Sequence, residues 1–351
     1  MGNKIGWIIS GVLVAIVAIV LGMRVLGNPD HEQPTVATTA PGVLDRYEVG
    51  RPVTDIIDSK PTGVGNAADD YMAAAKLYNE SIRKILQDIT PESQADQTAR
   101  KIARISEVAG RGARIGPAGA NALKAVCQLA ANGAAKAEMK FINHVKGAEM
   151  DGHNPTSNIQ PVQQLNDVAN ACLALAGYNM AKGQYDEAHT ILQGAFTVGW
   201  HMAEERARAE VFRAGIQRQF DALRLMELNH QLAGKEDKLD AIRSYGIALQ
   251  EVNGKISRKW QLIHSHDPHP GDMINIIEND QDRVWKIESL LILGPLKFLE
   301  EGHEGNLAKI NSLLDEYSNS GDPLIADAAS KAKQFNKEDA KRFGIVFAEE
   351  D

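Results

Sequence analysis

The chain has 351 residues, 44% hydrophobic and 24% charged, enough apolar material for one elongated or two compact domains, which excludes disorder throughout. A net charge of −8 and a pI near 5.7 exclude a general attraction to nucleic acid or to an anionic membrane surface, so no nucleic-acid partner is expected and any anion site must be local. Aromatic residues at 5%, abundant alanine and few β-branched runs beyond the N-terminus favour closely packed helices over sheets.

The chain begins with an apolar stretch. No charged residue occurs from Ile5 to Leu21, and roughly 20 residues are available to cross a bilayer. The following Met23-Arg24-Val25-Leu26-Gly27 offers no small-x-small cleavage site, which favours an uncleaved anchor over 1–26 rather than a removed signal peptide. Lys4 and the terminal amine precede this stretch, so the expected orientation puts the N-terminus in the cytoplasm and the bulk of a single-pass membrane protein outside, in the periplasm. Gly11, Ala15, Ala18 and Gly22 share one stripe. Such stripes let two spans approach closely as a homodimer, although glycine and alanine are also common in spans generally. Residues 27–65 carry Pro29, Pro34, Pro41, Pro52 and Pro61 without sustained periodicity. They are expected to form a flexible linker, its ends on the order of 30–40 Å apart, with Val53, Ile56 and Ile57 able to dock locally.

Residues 66–351 are expected to form one helical domain, with a sub-boundary near 151–160. Asn66 is a good N-cap, Asp69 and Asp70 suit a first turn, and Tyr71, Ala74, Tyr78, Ile82, Ile85 and Ile89 recur at helical steps. Thr90-Pro91-Glu92 starts a second helix with Ile102, Ile105 and Val108 inside, and a third, rich in alanine, runs from Pro117 to about Val145. Between these two, Gly110-Arg111-Gly112-Ala113-Arg114-Ile115-Gly116-Pro117 reads as a flexible connection. Arg111 and Arg114 beside a helix start make it a weak candidate for holding an anion, but it fits neither the P-loop nor the dinucleotide fingerprint. Asp151–Asn158 reads as a surface loop.

Leu165–Trp200 reads as two helices joined by a tight turn at Lys182-Gly183-Gln184. It resembles a tetratricopeptide-repeat hairpin: Leu175-Ala176 stands at the family's Leu-Gly pair, followed by Gly183, Tyr185, and then Ala188, Leu192 and Ala195 at its A-x3-F-x2-A spacing. Cys172, Asn179 and Trp200 stand where the family prefers Trp, Tyr and Pro. The resemblance implies stacked helical hairpins that bind a protein or peptide, with Tyr178, Tyr185, Trp200 and Arg206 as the candidate binding residues.

A charged helix follows, with Val211, Ile216, Phe220, Leu223 and Leu228 inside and Gly234 at its end; Ala241, Tyr245 and Ala248 then repeat the spacing of Ala188, Leu192 and Ala195. A helix bearing Trp285 is expected through Val284, Ile287, Leu290, Leu291 and Leu293, then one over Asn306–Tyr317. The stretch from Asp322-Pro323 resembles the second helix of a HEAT-type repeat. The imidazole-rich run His264-Ser265-His266-Asp267-Pro268-His269-Pro270-Gly271-Asp272 carries the metal alternative. His264, His266, His269 and Asp272 could ligate a divalent ion, though the two prolines impose an extended path and a polar interhelical loop is the preferred reading of the run. Cys127 and Cys172 fall in alanine-rich helices and read as buried free thiols or, less readily, one disulfide. No nucleophile elbow, H-E-x-x-H or C-x-x-C occurs, and no catalytic residue is assigned. The fold expected is all-α, a transmembrane helix followed by an irregular α-solenoid. The function expected is a scaffold for protein–protein interaction at the cell envelope without a cofactor; the alternative is a metal-binding protein or metal-dependent enzyme.

Overall fold

Asn66 opens the helical part, its side chain accepting the Ala68 N–H, and helix α1 (Ala67–Ser81) buries Tyr71, Ala74 and Tyr78 on one face. The computed structural model describes residues 49–84, 97–140, 160–265, 268–298 and 304–342, all within one compact unit, Leu44–Asp351. Ile85, Ile89, the Thr90-Pro91-Glu92 start and the 151–158 loop lie outside these residues. So does the anchor expected at 1–26 with its Gly11, Ala15, Ala18 and Gly22 stripe; among the described residues no helix is long and apolar enough to cross a membrane.

The second expected helix is broken. Helix α2 (Gln97–Ile105) stops where Ser106 turns to extended backbone and caps α3 (Glu107–Gly112) by accepting the Ala109 N–H. Ile102 is buried, but Ile105, expected inside, is exposed. The glycine-arginine run expected to be a flexible connection is therefore partly helical. Its physical reason is proximity: a Cβ on Gly112 would sit 1.9 Å from the Ala174 carbonyl oxygen, and one on Gly177 2.1 Å from that of Ala109. Glycine is needed here for backbone contact between helices rather than for a loop.

Helix α4 (Pro117–Ala134) ends about one turn after Ala130, well before Val145, because Lys136–Glu138 forms strand β2 beside β1 (Gly63–Asn66). The two are parallel, and no strand was expected. The end of the expected linker is accordingly packed against the helices. Ile56 and Ile57 are buried, Gln193 donates to the Ile56 carbonyl at 3.2 Å, and Lys238 pairs with Asp58 at 2.9 Å.

Helices α5 (Gln160–Ala181) and α6 (Tyr185–Glu204) form the hairpin expected from the sequence, with Gly183 in the left-handed region at φ 72° between them. Ala188, Leu192 and Ala195 are fully buried. Next come α7 (Ala209–Ala233), closed by Gly234 at φ 67°, and α8 (Leu239–Ile263). On α8 the inner face is Ile242, Tyr245 and Leu249; Ala241 and Ala248 are only half-buried, so their spacing does not reproduce the packing of Ala188 and Ala195. Helices α9 (Pro270–Asn279), α10 (Arg283–Leu296), α11 (Glu304–Ser318), α12 (Pro323–Gln334) and α13 (Lys337–Arg342) complete the described chain.

The architecture is all-α apart from the strand pair. From α5 to α8 each helix packs on the next, as in stacked hairpins, yet α5 also touches α1, α3 and α4, so the N-terminal part gathers around one helix. Helix α10 does the same for α9, α12 and α13.

Candidate partner-binding cleft

The site grows out of the far end of α6. Gly199 and Gly215 draw α6 and α7 together: a Cβ on either would lie within 2.7 Å of the other's carbonyl oxygen. Such an approach tolerates no side chain, and it fixes where Trp200 leaves α6 and where Gln219 leaves α7.

After Glu204 the chain reverses through Glu205–Arg208, with Arg206 at φ 51°. A non-glycine residue there carries backbone strain of order 1 kcal/mol or more, and buried charges hold it. Arg206 pairs with Asp282 at 2.9 Å, its guanidinium 4.0 Å from the Phe212 ring centre, and Arg208 pairs with Glu288 at 2.8 Å. Glu288 also accepts the Ala209 N–H at 3.0 Å, and Arg283 donates to the Glu205 carbonyl. Burial pushes the Asp282 carboxyl up, and the Arg206 charge offsets this only in part. Burial pushes Glu288 the same way, but the charge and hydrogen bond of Arg208 outweigh it and keep the group below its ordinary value. Arg206, expected on the hairpin surface, is thus a buried strut between α6 and α10.

Beside this turn lies a cleft of about 620 Å³, within the size range of ligand pockets. Trp200, Phe212 and Tyr245 line it, the segment Val49–Thr54 forms one wall, and Arg51 and Lys60 bring positive charge. Arg206 reaches its edge, so the structure brings two of the four expected binding residues, Trp200 and Arg206, to one place. Tyr178 and Tyr185 sit at the opposite end of the hairpin, half-buried, with the Lys182 ammonium 5.8 Å above the Tyr178 ring. Fifteen residues of helix, roughly 22 Å, separate Tyr185 from Trp200.

The weaker candidates resolve differently. Arg111 pairs with Glu107, and Arg114 donates to the Gly110 carbonyl at 3.0 Å, so both guanidinium groups are engaged with residues of α3 rather than framing an anion cradle. His264 ends α8 and turns inward, its ring 3.8 Å from Trp260 and Nε2 3.7 Å from Glu288; burial lowers its pKa. His269 is exposed and caps α9 by accepting the Gly271 N–H at 3.1 Å, and Asp272 is exposed in the first turn. These groups diverge because one closes a helix and another opens the next. His266 lies outside the described residues, and among the described ones no group of three His, Cys, Asp or Glu is placed to hold a metal. Cys127 and Cys172 are buried free thiols facing each other.

Gln219 was missed by the sequence reading. It is 1% exposed, its Nε2 lies 3.4 and 3.5 Å from the Gly199 and Gly215 carbonyls, and its Oε1 has no donor although the side chain lines the cleft. The available signal was its position on the apolar stripe of α7, three residues after Ile216 and four before Leu223. Glu288 gave a similar signal, one carboxylate in the apolar run of α10. No family model, curated protein or solved structure matches the chain.

Proposed function

We propose that the chain is a membrane-anchored helical scaffold of the cell envelope that holds a segment of a partner protein in the cleft beside Trp200. The observation that carries this reading is the cleft itself. Three aromatic side chains from three different helices, α6, α7 and α8, converge on it, Trp200 half-buried and Phe212 and Tyr245 buried behind it; an aromatic anchor in a partly enclosed groove is a usual source of binding energy at protein interfaces. Its setting supports the same reading: a rigid wall made by the glycine contact and the ion-paired turn keeps the groove open without a partner, which lowers the ordering cost of binding. The apolar Ile5–Leu21 stretch supports the membrane anchor, and the tetratricopeptide-like hairpin supports protein binding in place of catalysis.

The test is photo-crosslinking in intact membranes with a benzophenone residue replacing Trp200, read by mass spectrometry. One recurrent partner peptide, absent when the probe replaces Tyr185 instead, is expected. Crosslinks spread evenly over unrelated proteins from both positions would sink the proposal. Membrane sidedness is read in the same cells by labelling a Ser265→Cys variant with an impermeant thiol reagent: labelling is expected, and protection until lysis would place the domain on the cytoplasmic side.

A further inference from the structure

The cleft's charge runs against that of the molecule. The chain carries a net charge of −8, yet the charged side chains lining this cleft are Arg51, Lys60, Arg206 and one carboxylate, Glu204. Arg206 is taken by Asp282. Lys60 is exposed with no acidic partner among the described residues, and Arg51 faces Asp55 only at 3.9 Å, at the edge of ion-pair range. Gln219 also lines the cleft, and its side-chain carbonyl oxygen is buried and without a donor.

A buried acceptor left unpaired costs free energy that a bound N–H can recover. The oxygen therefore reports a hydrogen bond the isolated chain cannot make. We propose that the occupant of the cleft is an acidic, extended peptide segment. Its carboxylates meet Lys60 and Arg51, an apolar side chain packs on the half-buried Trp200 with Phe212 and Tyr245 behind it, and a backbone N–H donates to Gln219 Oε1. This rests on the scaffold reading above and narrows it to one chemistry of partner. Extended backbone offers the free N–H that a helical partner has already used. The cations also favour encounter, since complementary charge steers association at low salt.

The experiment uses the full chain in detergent micelles and two fluorescein-labelled hexapeptides, one alternating Glu and Leu, the other Lys and Leu, followed by fluorescence anisotropy. The acidic peptide is expected to bind at least tenfold more tightly, with its advantage shrinking as salt rises. The double variant Arg51→Glu/Lys60→Glu, altered only at exposed positions, is expected to reverse the preference by about tenfold or more. Gln219→Met is expected to weaken the acidic peptide about fivefold while leaving the thermal midpoint unchanged or higher, because a merely structural glutamine would lower it. Equal binding of both peptides, no binding of either, or an acidic-peptide affinity indifferent to the charge reversal would overturn the proposal. A neutral or basic segment captured by the probe at position 200 would also overturn it while leaving the scaffold reading standing.

Discussion

Helix α6 ends differently at its two turns. At its start, Lys182-Gly183-Gln184 is exposed and turns on one glycine in the left-handed region, a conformation that glycine adopts without steric cost. At its finish, Glu205–Arg208 is buried at Arg206 and Ala207 and half-buried on either side, and it puts an arginine in that same region, held by Asp282 and Glu288 about 80 residues away. The first turn is local chemistry and supports only half-buried tyrosines. The second is tertiary and frames the cleft. The difference teaches that the cleft is framed where strain is fixed by distant charges, and that the glycine turn needs no such support.

Removing the distant charge should break the contrast most strongly. Asp282→Ala takes the ion-pair partner from the buried Arg206 guanidinium and removes the α10 cap, so a loss of about 3–5 kcal/mol in unfolding free energy is expected from urea titration. A loss below about 1 kcal/mol would mean that the turn holds without its ion pair.

Acid tests the same end of the helix. His201 is 2% exposed and its Nδ1 shares a hydrogen bond of 2.7 Å with the Tyr71 hydroxyl, and burial pulls its pKa down to about 4 from 6.5. A base whose folded pKa is depressed gives stability that is complete above 6.5 and lost as pH falls toward 4. The loss should approach about 3 kcal/mol, and His201→Gln should flatten that limb of a stability–pH profile. Glu210 runs the opposite way. Burial raises it to about 7 from 4.5, so its contribution is complete below pH 4.5 and disappears as pH rises through 7. Discounted for its partial exposure, Glu210→Gln should gain about 1–2 kcal/mol at pH 8 and nothing at pH 4.5. Equal effects at both pH values would refute the assignment.

The smallest effect sharpens the comparison from the other side. Gly183→Ala places a Cβ in the left-handed region but meets no neighbouring atom, so a cost of about 1 kcal/mol is expected, with crosslinking from position 200 unchanged. A cost matching that of Asp282→Ala would make the two turns equivalent.

Much of the helical frame was legible in the sequence. The Asn66 cap, the Gly183 turn and the Gly234 stop each depend on a few adjacent residues, and the apolar stripes of α1, α6 and α10 mark their buried faces. The glycines of α3 misled because a sequence does not distinguish a glycine that permits a turn from one that permits contact; only the approach of α5 within van der Waals range decides that. The half-buried Ala241 and Ala248 misled because spacing records periodicity and not which neighbour arrives.

For the candidate site, the tetratricopeptide-like resemblance included Trp200 and Arg206 among four residues of the hairpin surface. It could not separate them from Tyr178 and Tyr185, nor join them to Lys60, Gln219 and Tyr245. Local pattern determined the helices, because helical hydrogen bonds and caps close within four residues. Tertiary structure alone decided the cleft, because ion pairs, glycine contacts and burial arise between residues far apart in the chain, whose meeting no local period encodes.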